Sequence, residues 1–412
     1  MTGIQDAIFF ICTFLSVYVQ VFFLLTFLQN RKKILIRNGE TKLSAYPAVT
    51  IAVPSFNEEE TVENTLLSLL NLNYPKDKIK IFLIDDGSTD GTLDVMRKFE
   101  NYPNIKVFHK ENGGKATALN LGLEHADTEF FACLDSDSIA DSESLVRLMS
   151  YFERDQTVMA VVPAIIVCNV KSIIQKVQRV EYNMSVYIKK MLSFLGAIHV
   201  TPGPLAVFKM KVFHDLGPYR GAHNSEDMEI AYRMQKHHYK IEHCNDAYVY
   251  TNIPPTVFKL YKQRVRWIYG FINNTIDYRK IFFRKEYGNF SIFTVPSGII
   301  SIITATYIFC IMLYNILYFF YSNIIQYKDL GFLDKISSFD PFFIQTSSFV
   351  FISIFLYCLV VFSVILGQKI VNGKFKISLE ILYSYLVLGI VAPFWLMKAI
   401  YNTILHKRPE WK

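Results

Sequence analysis

Cysteine is sparse and scattered: six residues in 412, at positions 12, 133, 168, 244, 310 and 358, with no CxxC spacing. That pattern argues against a disulfide framework and a zinc site, and the apolar neighbourhoods predict buried, reduced thiols. Histidines 199, 223, 237, 238 and 243 share no metal-ligand spacing on one face, so they read as satisfied or surface imidazoles. No repeat and no low-complexity tract is present. Basic residues are missing ahead of the first apolar run, residues 8–28, which has Asp6 upstream and no small-residue cleavage site after it. A cleaved signal peptide is therefore disfavoured. The run is long enough to cross a hydrocarbon core of about 30 Å. Arg31, Lys32, Lys33 and Arg37 follow, which predicts a signal anchor over residues 1–33 with its basic flank in the cytoplasm.

What is present is apolar and aromatic: 51% hydrophobic and 15% aromatic residues, concentrated at the two ends. Three apolar stretches close the chain, residues 293–321, 343–366 and 379–405, and the first two can each span. The loop between them carries Asp329, Asp334 and Asp340 against Lys328 and Lys335 and reads as external. The next, with Lys369, Lys374 and Lys376, reads as cytoplasmic. A simple third span would put His406, Lys407, Arg408 and Lys412 outside, against the charge rule. Gly389 and Pro393 interrupt that segment, so a broken or re-entrant hairpin with a cytoplasmic tail is expected. The net charge of +7 suits anionic lipid and anionic nucleotides alike.

Between these ends, strand and helix alternate. Residues 49–53, 80–84, 105–108, 130–134 and 158–166 are short apolar runs. Helical spacing fills 58–72 and the segment opened by Gly113-Gly114-Lys115, and Asp90 reads as the N-cap of another helix. This order predicts an α/β domain with a mostly parallel sheet, Rossmann-like, over residues 45–255. Long and short helices are expected at 173–195 and 226–236. Residues 256–290, rich in aromatic and basic side chains, read as interfacial amphipathic helices, with a transmembrane region at 291–412.

The polar residues collect where these strands end. Phe130 to Leu134 leads into Asp135-Ser136-Asp137, whose carboxylates an extended chain would point to one side. One could grip a hard cation, which takes a carboxylate or two plus phosphate oxygens. Ahead of it stand Pro54-Ser55-Phe56-Asn57-Glu58, Asp85-Asp86-Gly87-Ser88 and Gly114-Lys115-Ala116-Thr117-Ala118-Leu119-Asn120. The backbone N–H groups opening that last helix, with Lys115, would attract a diphosphate. After it come Thr201-Pro202-Gly203-Pro204, Ser225-Glu226-Asp227 and Gln263-Arg264-Val265-Arg266-Trp267. Ser225 with two first-turn acids is also ordinary helix-capping chemistry.

In this order the motifs resemble those of the membrane-embedded, processive family-2 glycosyltransferases, which include the cellulose, chitin, hyaluronan and poly-N-acetylglucosamine synthases. The resemblance implies a GT-A nucleotide-sugar domain flanked by transmembrane helices. It puts Pro54, Asn57, Glu58, Asp86, Lys115, Asp135 and Arg266 on the donor, with Asp86 accepting from a uracil imide. Asp137 is implied as ligand of Mg²⁺ or Mn²⁺, Asp227 as general base with Glu226 beside it, and Gly203, Gln263 and Trp267 as acceptor contacts. The implied activity is inverting, metal-dependent, processive transfer from a UDP-sugar, UDP-N-acetylglucosamine foremost, to a β-linked polysaccharide at the cytoplasmic face of the plasma membrane. The alternative is a single-addition transferase acting on a membrane lipid carrier. Implied partners are the donor, a polysaccharide or lipid-linked acceptor, membrane lipids and a small membrane subunit; no nucleic-acid partner is expected. The terminal Arg408-Pro409-Glu410-Trp411-Lys412 is expected to cover the donor site.

Overall fold

The computed structural model describes residues 3–35, 42–327, 348–375 and 378–409. Arg37, Lys376, the loop 328–347 expected to be external and residues 410–412 of the tail lie outside the described residues.

A long helix, α1 (Gly3–Leu35), precedes the α/β region. That region runs β1 (Val49–Ser55), α2 (Val62–Leu70), β2 (Ile79–Asp85), α3 (Thr92–Arg97), β3 (Ile105–His109), α4 (Lys115–Glu124), β4 (Phe130–Cys133), β5 (Ser138–Ala140), α5 (Ser144–Arg154) and β6 (Val158–Val167). It continues through α6 (Ile173–Phe194), β7 (Ala206–Lys209), α7 (Lys211–Leu216), α8 (Glu226–Lys236) and β8 (Lys240–Thr251). Four long helices follow: α9 (Val257–Asp277), α10 (Val295–Tyr327), α11 (Ser348–Asn372) and α12 (Leu379–Ile404).

The strands form one eight-stranded sheet in the order β3-β2-β1-β4-β7-β6-β8-β5. β3, β2, β1 and β4 are mutually parallel. β7 runs antiparallel to both β4 and β6, β6 is parallel to β8, and β5 is antiparallel to β8. The sheet is thus mostly parallel, as the alternating pattern predicts. β1 shows why: Val49, Ile51 and Val53 pack on α2 and α5 on one face, while Ala52 packs on the other face beside α4. A strand covered on both sides must be apolar throughout. Pro54, with no N–H to donate, is tolerated because β4 pairs only as far as Ala52, where Cys133 ends it.

On the second face, α6 and α8 cover the sheet, and α1 and α11 dock over them through Phe23, Phe27, Leu366 and Ile370. Four helices among the described residues are long and apolar enough to cross a membrane: residues 7–34, 290–318, 350–372 and 379–404. The last corrects the expected broken hairpin, because α12 is one continuous helix with Pro393 inside it. Proline removes one bond in a helix and costs ~3 kcal/mol. Here Trp395 and Leu396 are buried just beyond it against Leu260 and Val265 of α9 and Ile174 of α6, and burying such side chains outweighs one local defect. α12 runs alongside α9: Glu380 meets Arg179 of α6 at 2.5 Å near its start, and Thr403 accepts from Asn273 of α9 at 3.1 Å near its end.

All six cysteines are free; Cys12, Cys133 and Cys244 are buried, but Cys310 and Cys358 are exposed on α10 and α11. The apolar runs around them belong to helices whose outer faces are apolar too, so an apolar neighbourhood did not mean an interior one. Asp90 is not itself the N-cap of α3, which is Gly91; its carboxylate accepts the Thr92 N–H at 3.0 Å from one position further back.

Candidate active site

The parallel strands finish level with one another. Ser55 of β1 is in register with Asp85 of β2, and Asp85 with His109 of β3. Asp85 is buried, held by the Ser88 N–H at 3.3 Å and by His109 Nδ1 at 2.7 Å, which makes it a framework carboxylate. Asn57, at φ +54°, donates its N–H to the Ser88 hydroxyl oxygen at 3.0 Å, and its Oδ1 accepts from the Thr89 N–H at 2.8 Å. The first two motifs are therefore stitched into one rim.

Asp86 sits above that rim. Its Oδ1 accepts from Lys110 Nζ at 2.7 Å and the Gly113 N–H at 3.1 Å, and its Oδ2 from the Gly114 N–H at 2.8 Å. The Gly113 and Gly114 amides thus turn inward to Asp86 and are not free for a diphosphate. Gly114 makes the turn with φ +85°. A carboxylate has about four acceptor sites, so three are filled and one on Oδ2 remains for a further donor such as a base imide.

Lys115 is the hub. At the N-terminus of α4, its ammonium reaches Asp135 Oδ1 at 2.5 Å and Glu226 Oε1 at 3.4 Å. Its pKa is raised well above the ordinary value; burial acts in the opposite sense, and Asp135 and Glu226 overcome it. A cation thus ties the end of β4 to the start of α8, two elements some ninety residues apart. Gly203 completes the contact from the 201–204 loop: a Cβ there would run into the Asp135 carboxylate and the Lys115 ammonium. The residue expected at the acceptor floor consequently touches the donor-side ion pair as well.

Asp135-Ser136-Asp137 forms a tight turn between β4 and β5, with Thr65 Oγ1 of α2 donating to the Ser136 carbonyl at 2.9 Å. Asp137 is pushed up to about 6, by burial first and then by the nearby charges of Asp135 and Glu58. No group of three or more His, Cys, Asp or Glu among the described residues could hold a metal unaided. The donor set suits a hard divalent cation bound by one protein carboxylate plus ligand oxygens, and a carboxylate held in a negative field is the group such a cation would relieve.

Asp227 opens α8. Its carbonyl accepts from both the N–H and the hydroxyl of Thr201, at 3.1 and 2.9 Å. Its carboxyl is raised to about 6, by burial first and then by Glu226, while Lys115 and Arg266 pull it back. Asp227 and Asp137 both feel Asp135 and Lys115, so the two acids share one site. Ser225 does not cap α8 with its side chain. Its hydroxyl instead donates to the Ala222 carbonyl and accepts from Asn274 of α9, at 3.0 and 2.8 Å. These bonds hold two consecutive left-handed residues, His223 and Asn224 at φ +55° and +56°, a strained backbone of the kind that persists only when its surroundings enforce it.

From α9, Arg266 donates to the Asn224 carbonyl at 3.4 Å and acts on Asp227. Gln263 brings a buried Oε1 with no partner. Trp267 carries the Arg264 guanidinium 4.2 Å from its ring centre, and Arg264 pairs with Glu181 of α6 at 2.9 Å. One face of the ring is therefore covered. Asn224 Nδ2 donates to the Pro409 carbonyl at 3.4 Å, which brings the tail to the loop before Asp227. Among the histidines, His223 is paired with Asp277 at 2.8 Å and His237 and His238 are exposed. His243 and His199 depart from the expectation, since both nitrogens of His243 and Nδ1 of His199 are buried without partners. Sequence reading also passed over Lys110 and Asn274, whose roles depend on contacts that no spacing announces.

The description Glycosyl transferase family 2 matches residues 50–217. Residues 50–217 are a family 2 glycosyltransferase domain. The chain is 29% identical over 316 residues to a poly-beta-1,6-N-acetyl-D-glucosamine synthase of Staphylococcus epidermidis, covering 76% of this chain and 74% of that one. It is 34% identical over 224 residues to a protein of the same description from Staphylococcus aureus, covering 54% of each. Among solved structures it is similar in fold to the mannosyltransferase PcManGT of Pyrobaculum calidifontis in complex with GDP-Man and Mn²⁺. The TM-score is 0.56 at 17% identity, over 96% of this chain and 99% of that one. The chain is a glycosyltransferase of GT-A architecture, with four long apolar helices among its described residues.

Proposed function

We propose that this glycosyltransferase extends a β-linked polysaccharide, adding N-acetylglucosamine from UDP-N-acetylglucosamine repeatedly and with inversion. The observation that carries the reading is the Asp135–Lys115–Glu226 bridge, because it gathers the donor motifs and the Asp227 turn at one site. The similarity to poly-beta-1,6-N-acetyl-D-glucosamine synthases suggests the sugar and the polymer.

In this reading Asp86 receives the base on its open acceptor site, with Pro54, Asn57 and Glu58 shaping the rim. Asp135 meets the nucleotide sugar, and Lys115 and Arg266 face the diphosphate. Asp137, with the phosphate oxygens, would hold Mg²⁺ or Mn²⁺, which when bound neutralises charge building on the leaving UDP. Asp227 takes the proton from the acceptor hydroxyl as its oxygen bonds to the anomeric carbon and the bond from that carbon to the diphosphate breaks. One base and no enzyme-bound sugar give a single displacement, hence inversion. Gln263 and Trp267 contact the acceptor. The catalytic domain faces the cytoplasm, where the basic end of α1 stays. The bond from Asn224 to Pro409 keeps the tail on that side.

Purified protein incubated with single UDP-sugars tests this, reading UDP release and product size. The expected result is a ladder of β-linked oligomers with UDP-N-acetylglucosamine. One product of fixed size on a lipid acceptor would replace the polymer with single addition. Absence of UDP release with every donor would end the reading.

A further inference from the structure

The carboxylates on the donor side of the site are bonded within the protein. α6, which lies across the other side, is different. Glu181, Tyr182, Ser185 and Lys189 recur at helical spacing along one face of it. Tyr182 is half-buried and lies in the field of Arg264, Glu181, Asp137 and Asp135. Two turns on, about 10 Å along the axis, Lys189 is half-buried in the field of Asp227. His199 feels Lys189 in turn and sits two residues before Thr201, the residue clamped to the Asp227 carbonyl. Its ring stands edge-on to Phe271 of α9, centres 6.3 Å apart. One helix face therefore reaches from the Asp137 end of the site to the Asp227 end, with His199 closing the second end.

The heads of these residues are unusual for where they stand. Among the described residues, neither the Tyr182 hydroxyl nor the Lys189 ammonium has a hydrogen-bond or ion-pair partner, and the enclosed Nδ1 of His199 has none. The adjacent Lys190 shows the ordinary solution, donating to the His243 carbonyl at 2.8 Å and the Tyr151 hydroxyl at 3.3 Å. Burial lowers the Lys189 amine to about 8, with Asp227 acting in the opposite sense. It lowers His199 to about 4, so the imidazole is neutral near pH 7. The His199 Nδ1 is withdrawn from water without a protein partner, which is costly unless something that enters supplies one, and the half-buried Tyr182 and Lys189 heads stand open beside it. The missing ligand is then rich in neutral donors and acceptors and long enough to span two helical turns. A sugar chain, with hydroxyls, ring oxygens and amide carbonyls, has that chemistry.

We infer that Tyr182, Lys189 and His199 form the acceptor wall of the site, holding the last two sugars of the growing chain so that the terminal hydroxyl meets Asp227. This rests on the polymerase reading above. Lys189 donates to a sugar or amide oxygen nearest the reacting hydroxyl. Tyr182 takes the preceding sugar, and His199 fixes the terminal ring through its neutral imidazole.

Two measurements on the full-length protein in detergent test it. In the first, an amine-reactive reagent at pH 8 modifies Lys189, read by peptide mass spectrometry, with N-acetylglucosamine oligosaccharide or UDP added. The wall predicts several-fold slower labelling of Lys189 with the oligosaccharide and no change with UDP. Protection by UDP and not by the oligosaccharide would overturn it. In the second, Lys189→Met and Tyr182→Phe are each expected to raise KM for an oligosaccharide acceptor about tenfold, the worth of one hydrogen bond to a charged or well-placed polar group. KM for the UDP-sugar should stay within about twofold, and Lys189→Arg should recover most of the loss. Wild-type turnover with an unchanged acceptor KM in both variants would sink the wall and leave the polymerase reading standing. A wild type that releases no UDP would sink the polymerase reading, while the labelling result still decides whether the wall binds a sugar chain.

Discussion

The two sides of the active site are built on opposite plans. On the side of the parallel strands, polar atoms other than the buried Ser55 Oγ satisfy one another: Asp85 with Ser88 and His109, Asp86 with Lys110 and two glycine amides, Asp135 with Lys115. On the side of α6 and α9 they do not, since Gln263 Oε1, His199 Nδ1 and Asn274 Oδ1 are enclosed and unpartnered. The difference fits two tasks. A donor that arrives, reacts and leaves at every cycle gains from a preorganised pocket. A chain that must bind and then slide by one unit gains from partners it makes and releases in turn, because a site that grips one register too well stops the next.

The sharpest way to break this contrast is at its boundary, at Asp227, the proposed general base. Asp227→Asn keeps size and hydrogen bonding but removes the base, so UDP release should fall by roughly 10²–10⁴-fold while UDP-sugar binding, measured by calorimetry, stays near wild type. Donor affinity lost together with turnover would place Asp227 on the donor side and erase the division. Next in size is Asp137→Asn. Divalent-dependent turnover should drop at least about 100-fold, to the same floor that a chelator gives with wild type. A variant that still responds to Mn²⁺ as wild type does would move the cation elsewhere.

Glu226→Gln sharpens the contrast, since Glu226 belongs to both sides through Lys115. Asp227 must be ionised to act as base, and its carboxyl is raised to about 6 in part by the Glu226 charge. Activity of the wild type should therefore fall as pH drops through about 6. Removing the negative charge lets Asp227 ionise at lower pH, so the acid limb of the profile should move toward acid, with a loss of about tenfold in rate from the broken bridge. A limb that stays in place or moves toward alkaline pH would show that Asp227 does not set it.

The same division explains what could be read from the chain. The parallel half was legible because each apolar strand ends in its own cluster of polar residues, and strand ends are where ligands of such sheets bind. The half holding β7, β5 and β8 was not. β7 has four residues and β5 three, while β8 carries Lys240, Glu242, His243, Asn245 and Asp246 within a strand. Their pairing is decided by distant neighbours, and short or mixed runs carry no period of their own. α6 was legible as a helix, yet not as the proposed acceptor wall, because Tyr182 and Lys189 look like ordinary surface residues until the sheet is folded beneath them. The inward-facing amides of Gly113 and Gly114 were hidden for a similar reason: a turn signal says that the chain bends, not which carboxylate it will bend around.

The smallest effect tests how the membrane region is fastened to this site. α12 was misread as a broken hairpin because charge counting weighs its tail and ignores what its middle touches. If buried apolar contact holds it, through Leu260, Val265, Trp395 and Leu396, then its visible ion pair contributes little. Arg179 and Glu380 meet at 2.5 Å, but their side chains remain 40% and 23% exposed. A pair so exposed to water is worth less than about 1 kcal/mol. Arg179→Ala should accordingly shift the thermal unfolding midpoint in detergent only slightly and leave UDP release unchanged, whereas Trp395→Ala should lower the midpoint clearly. The reverse ranking would make the ion pair the fastening of α12 and the apolar contact incidental.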